Sequence, residues 1–224
     1  ICAVTVLAAA APGVALAVHD LSTAQDRAGT ARLATAATLL AHDLADERDD
    51  LAVAAASGDG GALPATALPA ADRARTDRRA RDVTAGAPAA LRTALAGLPG
   101  VRRTALAAGS GPQGVTAVVT AYQPLIDTLG RSSGPVTAPL SRAVGAAAVQ
   151  RGLLAGALTG DGPQPALVAA ALTAHVQEQA ALADFRAAAP AGLRDGYDAT
   201  VTGADTAQAD RDLGHVRRLA RARV

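Results

Sequence analysis

Apolar residues recur along most of this chain at spacings of three and four positions, which is the period of an α-helix that buries one face. The alternation of apolar and polar residues that predicts β-strands is nearly absent. Clusters rich in glycine and proline interrupt the helical pattern at intervals, and such clusters usually form turns. The pattern therefore predicts an all-α protein in which antiparallel helices pack as bundles.

The turn-forming clusters divide the chain into a predicted series of helices. The first is long, covering about residues 21–56, and the glycine-rich run after it ends it. A second covers about residues 70–98, with a break or kink at Gly86 and Pro88, and Pro99-Gly100 then turns the chain into a short segment near 101–108. The later predicted helices cover residues 113–129, 135–158, 164–189, 191–200 and 205–224. We expect two bundle halves, residues 20–130 and residues 131–224.

The N-terminal segment, residues 1–18, carries no charge and is mostly apolar. Eighteen such residues lie at the lower limit for crossing a bilayer, and because the chain begins with Ile1 rather than Met we expect a truncated transmembrane helix. The alternative is the apolar region of a cleaved signal peptide. Both interpretations place the residues after His19 outside the cytoplasm.

Composition excludes several functional classes. A formal net charge of +1 and only three aromatic residues argue against nucleic-acid binding, which needs a concentrated basic face or stacking platforms. A single cysteine, Cys2, and four scattered histidines predict no metal site and no disulfide within the chain. Neither a catalytic triad nor a phosphate-binding loop can be assembled, so we expect no cofactor and no enzymatic activity in these residues.

The most informative charged residue of the first predicted helix is Arg48, because it falls on the apolar side. It lies four positions after Leu44 and three before Leu51, within a stripe that also includes Leu33, Ala37 and Leu40. A buried guanidinium must find hydrogen-bond acceptors, since burying an unpaired charge is very costly.

Arg151 occupies a similar position in a later helix, four after Ala147 and three before Leu154, on a stripe that includes Val144 and Leu158. A faint internal repeat aligns residues 47–54 with residues 150–157. If the two arginines converge on one pocket, their forked N–H donors would match the oxygens of a small planar oxyanion. The stripes thus predict an anion-binding site at Arg48 and Arg151.

A structural role for the two arginines is the alternative. Asp43, Glu47 and Glu178 are available as carboxylate partners, and a long arginine side chain can also reach solvent along its helix. A closed contact between the arginines and nearby carboxylates would favour a ligand-free interaction bundle. An open pocket between the two guanidinium groups would favour a sensor.

Two basic runs have less specific interpretations. The run at residues 73–81 alternates with aspartates, which is typical of a solvated helix face. The run at residues 217–223 could contact a lipid surface or form an exposed helix end.

Several short segments of helical residues occur in a characteristic order along the chain, and together they cover about residues 30–211. The segments are LLAHDLADERD at 39–49, RARTD at 73–77, YQPLID at 122–127, QRGLL at 150–154, FRA at 185–187 and GYDATVTG at 196–203. In this order they resemble a known family, the nitrate- and nitrite-sensing (NIT) domain attached to actinobacterial sensor histidine kinases.

This resemblance implies two packed four-helix bundles that hold nitrate or nitrite between core arginines. The matching positions are Arg48 and Arg151, and Arg186 and Arg211 are candidates for a further arginine that some members use. It also implies a membrane-anchored receptor that acts as a homodimer and passes its signal to a cytoplasmic kinase module by repacking its helices. We therefore expect an extracytoplasmic sensor domain, with a ligand-free interaction or dimerisation bundle as the alternative function.

Overall fold

The computed structural model of this chain describes a helical protein. Its described residues are 2–58, 61–132, 134, 136–159, 164–201, 211, 214 and 218, with side chains from residue 23 onward except that of Thr159. The helices are α1 (Cys2–Ser57), α2 (Ala70–Gly86), α3 (Ala89–Ala96), α4 (Leu98–Leu106), α5 (Gly111–Arg131), α6 (Ala138–Thr159), α7 (Pro165–Ala188) and α8 (Ala191–Val201), and a short 3-10 helix covers Ala65–Ala67. None of these described residues forms a β-strand, which confirms the all-α prediction.

The helix boundaries follow the predicted breakers closely, with two corrections. The first helix, which we expected to begin near residue 21, is continuous from Cys2. The chain leaves the helical conformation at Ala87 and Pro88, between α2 and α3, as predicted. Pro99-Gly100, which we expected to form a turn, instead lies in the first turn of α4. Proline is well tolerated there because the first N–H groups of a helix have no partner inside it. The predicted helix at 205–224 lies outside the described residues, apart from three isolated positions.

The core of the bundle forms around α1. Its predicted leucine stripe is correct, because Leu40, Leu44 and Leu51 are all fully buried. Around this stripe pack α2, α5 and α6, and α5 contributes Val115, Val118 and Leu129 among others. Residues 24–32 of α1 are exposed, so α1 joins the bundle only after its first described side chains.

The later helices pack closely because α6 carries small residues where it meets its neighbours. A Cβ atom on Gly156 would lie 3.0 Å from both methyl groups of Val115 in α5, and the missing side chain permits this approach. The same core continues into α7 through Leu167, Val168 and Ala171. Residues from both predicted halves thus share one core, and the division at residue 130 stays a prediction.

A smaller apolar cluster lies where α6, α7 and α8 meet. It contains Ala143, Ala181 and Leu182, with Tyr197 of α8 packed against it. The ring of Tyr197 lies 5.4 Å from that of Phe185 in α7, at an interplanar angle of 58°, which fixes α8 against α7.

Among the residues whose side chains the structure describes, no helix is long and apolar enough to cross a membrane. The predicted transmembrane segment, residues 1–18, lies outside those residues.

Candidate anion-binding site

The charged segment in the middle of α1 directs its side chains to three neighbouring helices. Successive residues of an α-helix point about 100° apart, so the run from Asp43 to Asp49 surrounds the helix. Asp43 faces α2, Glu47 faces α4, and Asp46 and Asp49 face α6. The site containing Arg48 is therefore formed where α1 contacts the rest of the bundle.

Arg48 is fully buried, as the stripe predicted. Its Nε and Nη2 atoms donate hydrogen bonds of 3.0 and 2.9 Å to Oδ1 of the next residue, Asp49. Its Nη1 atom donates a 3.3 Å bond to Oε1 of Gln123 on α5, and Nε2 of that amide donates to Asp127. These acceptors satisfy the guanidinium inside the bundle.

Arg151 binds the other oxygen of the same carboxylate. Its Nε lies 2.8 Å and its Nη2 lies 2.7 Å from Oδ2 of Asp49, and Nη2 also lies 3.3 Å from Oδ1 of Asp46. The side chain of Arg151 is 57% exposed, whereas that of Asp49 is only 12% exposed. The site is thus buried at Arg48 and open to solvent at Arg151.

The carboxylate of Asp49 lies against Gly152 of α6. A Cβ atom on Gly152 would lie 2.9 Å from Oδ1 and 3.5 Å from Cγ of Asp49, so any larger residue would displace the carboxylate. We call the space bounded by Gly152, Arg48 and Arg151 the seat. In this structure the seat holds the carboxylate of Asp49, a planar group with a delocalised negative charge. The guanidinium groups of Arg48 and Arg151 donate hydrogen bonds to its two oxygens.

The structure brings Arg48 and Arg151 together, but not by the route that the stripes indicated. The predicted apolar stripe of α6 is wrong, because Val144 is 53% and Leu158 is 61% exposed. The buried face of α6 instead consists of small residues such as Ala148, Gly152 and Gly156, beside Leu153. Arg151 lies at the edge of this face and reaches Asp49 across it.

The carboxylates expected to pair with the two arginines are used elsewhere. Glu47 binds Arg102, Asp43 binds Arg75 and Arg79 of α2, and Glu178 lies 3.3 Å from Nδ1 of His175. The acceptor for both arginines is Asp49, and Asp46 assists at Arg151. The contact between the two arginines and Asp49 is therefore closed, which is the arrangement expected to favour a ligand-free interaction bundle.

Sequence reasoning missed Arg102, a second buried arginine among the residues whose side chains the structure describes. Its Nε and Nη2 atoms bind Glu47 at 3.0 and 2.7 Å, and its Nη1 binds Asp77 of α2 at 2.6 Å. The hydroxyl of Tyr122 donates a 3.3 Å bond to Glu47 as well. A signal was present, because Arg102 lies four residues after Leu98 and three before Ala105, both of them buried.

Burial raises the pKa of Tyr122 well above its usual range, and the nearby negative charge of Glu47 raises it further. The phenol therefore stays protonated and donates to Glu47. This network of four side chains adjoins the seat through the chain itself, because Glu47 precedes Arg48 and Tyr122 precedes Gln123.

The remaining candidate arginines lie in other surroundings. Arg186 contacts α8, where its Nη2 lies 3.5 Å from Oδ1 of Asp198 and its guanidinium lies 5.7 Å from the ring centroid of Tyr197. Arg211 is an exposed residue in the sparsely described C-terminal part. In the run at 73–81, Arg73, Arg78 and Arg81 are exposed as on a solvated face, whereas Arg75 and Arg79 are half-buried and bind Asp43 of α1.

An apolar groove of about 650 Å³ lies next to the site, between α1, α5 and α6. Thr38, Leu39 and His42 line it from α1, and Leu140 and Val144 line it from α6. Its lining carries no arginine, so this groove is not the pocket expected between two guanidinium groups.

Comparison with known families matches most of the chain to one family model. A family model described as nitrate and nitrite sensing matches residues 39–219, a range that includes both arginines of the seat. No curated protein and no solved structure matches the chain.

Proposed function

The chain belongs to the nitrate- and nitrite-sensing family, and from that premise we propose that it binds one nitrate or nitrite ion between Arg48 and Arg151. One observation carries this proposal. Two guanidinium groups from different helices converge on the two oxygens of a single planar carboxylate, that of Asp49. Donors placed for a carboxylate are also placed for nitrate or nitrite, which are planar and share one negative charge among their oxygens.

The environment of the two arginines divides their roles. Arg48 is inaccessible to water, so its hydrogen bonds to an anion are strong and fixed in direction. Arg151 is more than half exposed and can meet an ion arriving from solvent. An anion would therefore be captured first at Arg151 and then held at Arg48.

Signalling would follow from the fact that the seat joins two helices. Arg48 belongs to α1 and Arg151 belongs to α6, so an ion in the seat would favour the packing of α1 on α6 that suits it best. A ligand shifts such an equilibrium only by its different affinity for the two packings. Because α1 extends to the N-terminal apolar segment, a change in its position would reach that end of the chain.

The receptor around this domain is part of the proposal. Residues 1–18 span or anchor in the membrane, residues after His19 lie outside the cytoplasm, and the receptor is a homodimer. The helical domain is a sensor rather than an enzyme, and a histidine kinase module elsewhere in the receptor carries the phosphoryl chemistry of a two-component system.

A ligand-free interaction bundle is the second candidate, because the contact between the two arginines and Asp49 is closed. In that function the three residues would fix α1 against α6 permanently. No external anion would enter the seat.

Calorimetric titration of the purified 224-residue chain with nitrate, nitrite and chloride distinguishes the two functions. We expect binding of nitrate or nitrite, weakened about tenfold to a hundredfold by Arg48→Ala or Arg151→Ala, since each removes charge-assisted hydrogen bonds of roughly 1.5–3 kcal/mol. Arg142→Ala is the matched control, because Arg142 also lies on α6 but pairs with Asp184 on the surface. If neither wild type nor any variant binds nitrate or nitrite, or if both seat variants bind them as tightly as wild type does, the interaction bundle is the function instead.

A further inference from the structure

Asp49 occupies the seat in which the proposed function places the anion. We propose that Asp49 is an internal ligand, a tethered carboxylate that fills the seat when no ion is bound and that an incoming ion must displace. This inference rests on the proposed function. It adds that Asp49 sets the ion concentration at which the domain responds.

The geometry of Asp49 is that of a bound ligand. Oδ1 of Asp49 accepts two hydrogen bonds from Arg48, and Oδ2 accepts one from Nε of Arg151, whose Nη2 also lies 2.7 Å from it as an ion-pair contact. The space that the carboxylate fills exists because Gly152 has no side chain. Asp46 also contacts Arg151, yet its side chain is 40% exposed and it lies beside the seat, not inside it.

The charges explain why an internal ligand is needed. Arg48 is fully buried, and its other acceptor is the neutral amide of Gln123. If the seat were empty, this guanidinium would be left without a counter-charge, which is strongly unfavourable. Asp49 supplies that charge in the resting state, and nitrate or nitrite supplies it in the bound state.

Displacement of Asp49 gives the ion the differential contact that a switch requires. In the resting state the carboxylate couples α1 directly to Arg151 of α6. When an ion takes its place, Asp49 is released from Arg151, and the link between α1 and α6 is then made by the ion. The apparent affinity for the ion is lowered by the fraction of molecules in which Asp49 fills the seat.

The test compares Asp49→Asn and Asp49→Ala with the wild-type chain in calorimetric titrations with sodium nitrate at fixed ionic strength. Because both variants remove the competing charge, nitrate should bind them on the order of tenfold more tightly than wild type. Asp46→Asn is the matched control, since it removes an equal charge from the same Arg151 without vacating the seat. The double variant Asp49→Ala/Gly152→Ala should lose the gain, because the added Cβ projects into the vacated space.

Thermal unfolding monitored by circular dichroism provides a readout that does not depend on tight binding. Asp49→Ala leaves Arg48 without its carboxylate, so it should lower the midpoint in nitrate-free buffer, and nitrate should restore it. Wild type should respond less to the same nitrate concentration.

The outcomes separate this inference from the function on which it rests. Nitrate binding by wild type that is unchanged or weakened in Asp49→Asn would overturn the internal-ligand role alone, as would an equal gain in Asp46→Asn. If no variant binds nitrate and none is stabilised by it, the proposed function itself is overturned.

Discussion

Glu47 and Arg102 form a bidentate ion pair in the core, in which both oxygens of the carboxylate accept hydrogen bonds from one guanidinium group at 3.0 and 2.7 Å. Their side chains are only 1% and 10% exposed. Asp77 and Tyr122 bind the same pair, so the network joins α1, α2, α4 and α5 one residue before Arg48. It holds the segment of α1 that carries the seat.

Removal of one partner of this pair should destabilise the domain strongly. Arg102→Leu leaves the carboxylate of Glu47 buried with only the hydroxyl of Tyr122, and breaking a buried ion pair in this way costs about 3–5 kcal/mol. Urea unfolding followed by circular dichroism would measure the loss. Arg103→Leu, at the exposed next position of α4, is the control and should change the free energy of unfolding little.

A double replacement, Glu47→Leu/Arg102→Leu, should recover much of that loss because no unpaired charge stays buried. If Arg102→Leu unfolds at the same urea concentration as Arg103→Leu, the ion pair contributes nothing to stability.

The raised pKa of Tyr122 predicts an alkaline limit to the stability of the domain. Its folded-state pKa exceeds the unfolded value of about 10, so the folded state holds a proton that the unfolded state releases. The contribution of this proton to the free energy of unfolding is fully present below the unfolded-state pKa of Tyr122 and is lost as the pH rises from there through the folded-state pKa. Ultraviolet titration of tyrosinate should show Tyr122 ionising only as the protein unfolds.

Tyr122→Phe is the control for this titration, because Tyr197 is then the only tyrosine in the 224-residue chain. The pKa of Tyr197 is also raised by burial. Subtracting the variant's curve isolates Tyr122, and an ordinary, reversible ionisation of Tyr122 in the folded protein would contradict the prediction.

The proposed topology predicts that the C-terminal end of this chain lies outside the cytoplasm. Alkaline phosphatase folds into its active form only in an oxidising compartment, so fusing it after Val224 should give activity in a bacterial host. The same fusion with residues 1–18 deleted is the control and should be inactive. A well-expressed but silent fusion of the complete chain would refute the topology.

The fold could be predicted largely from sequence because its signals are local. Leucines at helical spacing marked the buried face of α1, and the proline and glycine clusters marked where the helices end. Arg48 was found for the same reason, since a charge among Leu40, Leu44 and Leu51 stands out from its surroundings. Pro99 was misplaced because proline is typical both of turns and of the first turn of a helix.

The face of α6 could not be predicted by the same reasoning. Its sequence is mainly alanine, glycine and aliphatic residues, so hydrophobicity hardly differs from one side to the other. Close approach of neighbouring helices selects the side with Gly152 and Gly156, leaving Val144 and Leu158 exposed. The pairing of Arg48 with Asp49 could be suspected only from their adjacency in the sequence, because residues adjacent in a helix point in different directions and the side-chain geometry alone decides whether they meet.

Replacement of each seat arginine by lysine should separate the need for charge from the need for a fork. Lysine keeps the positive charge but offers a single ammonium group, which cannot donate two parallel bonds to one planar anion. Arg48 is fully buried and donates through Nε, Nη1 and Nη2, so Arg48→Lys should weaken nitrate binding almost as much as Arg48→Ala. Arg151 is exposed and its charge attracts the ion from solvent, so Arg151→Lys should retain more affinity than Arg151→Ala.

Raising the ionic strength should reduce the contribution of Arg151 to nitrate affinity more than that of Arg48, because salt screens exposed charges best. Titration of the four variants with nitrate at low and high salt tests this, and equal losses in both lysine variants would show that the two arginines are not divided into a capturing and a holding group.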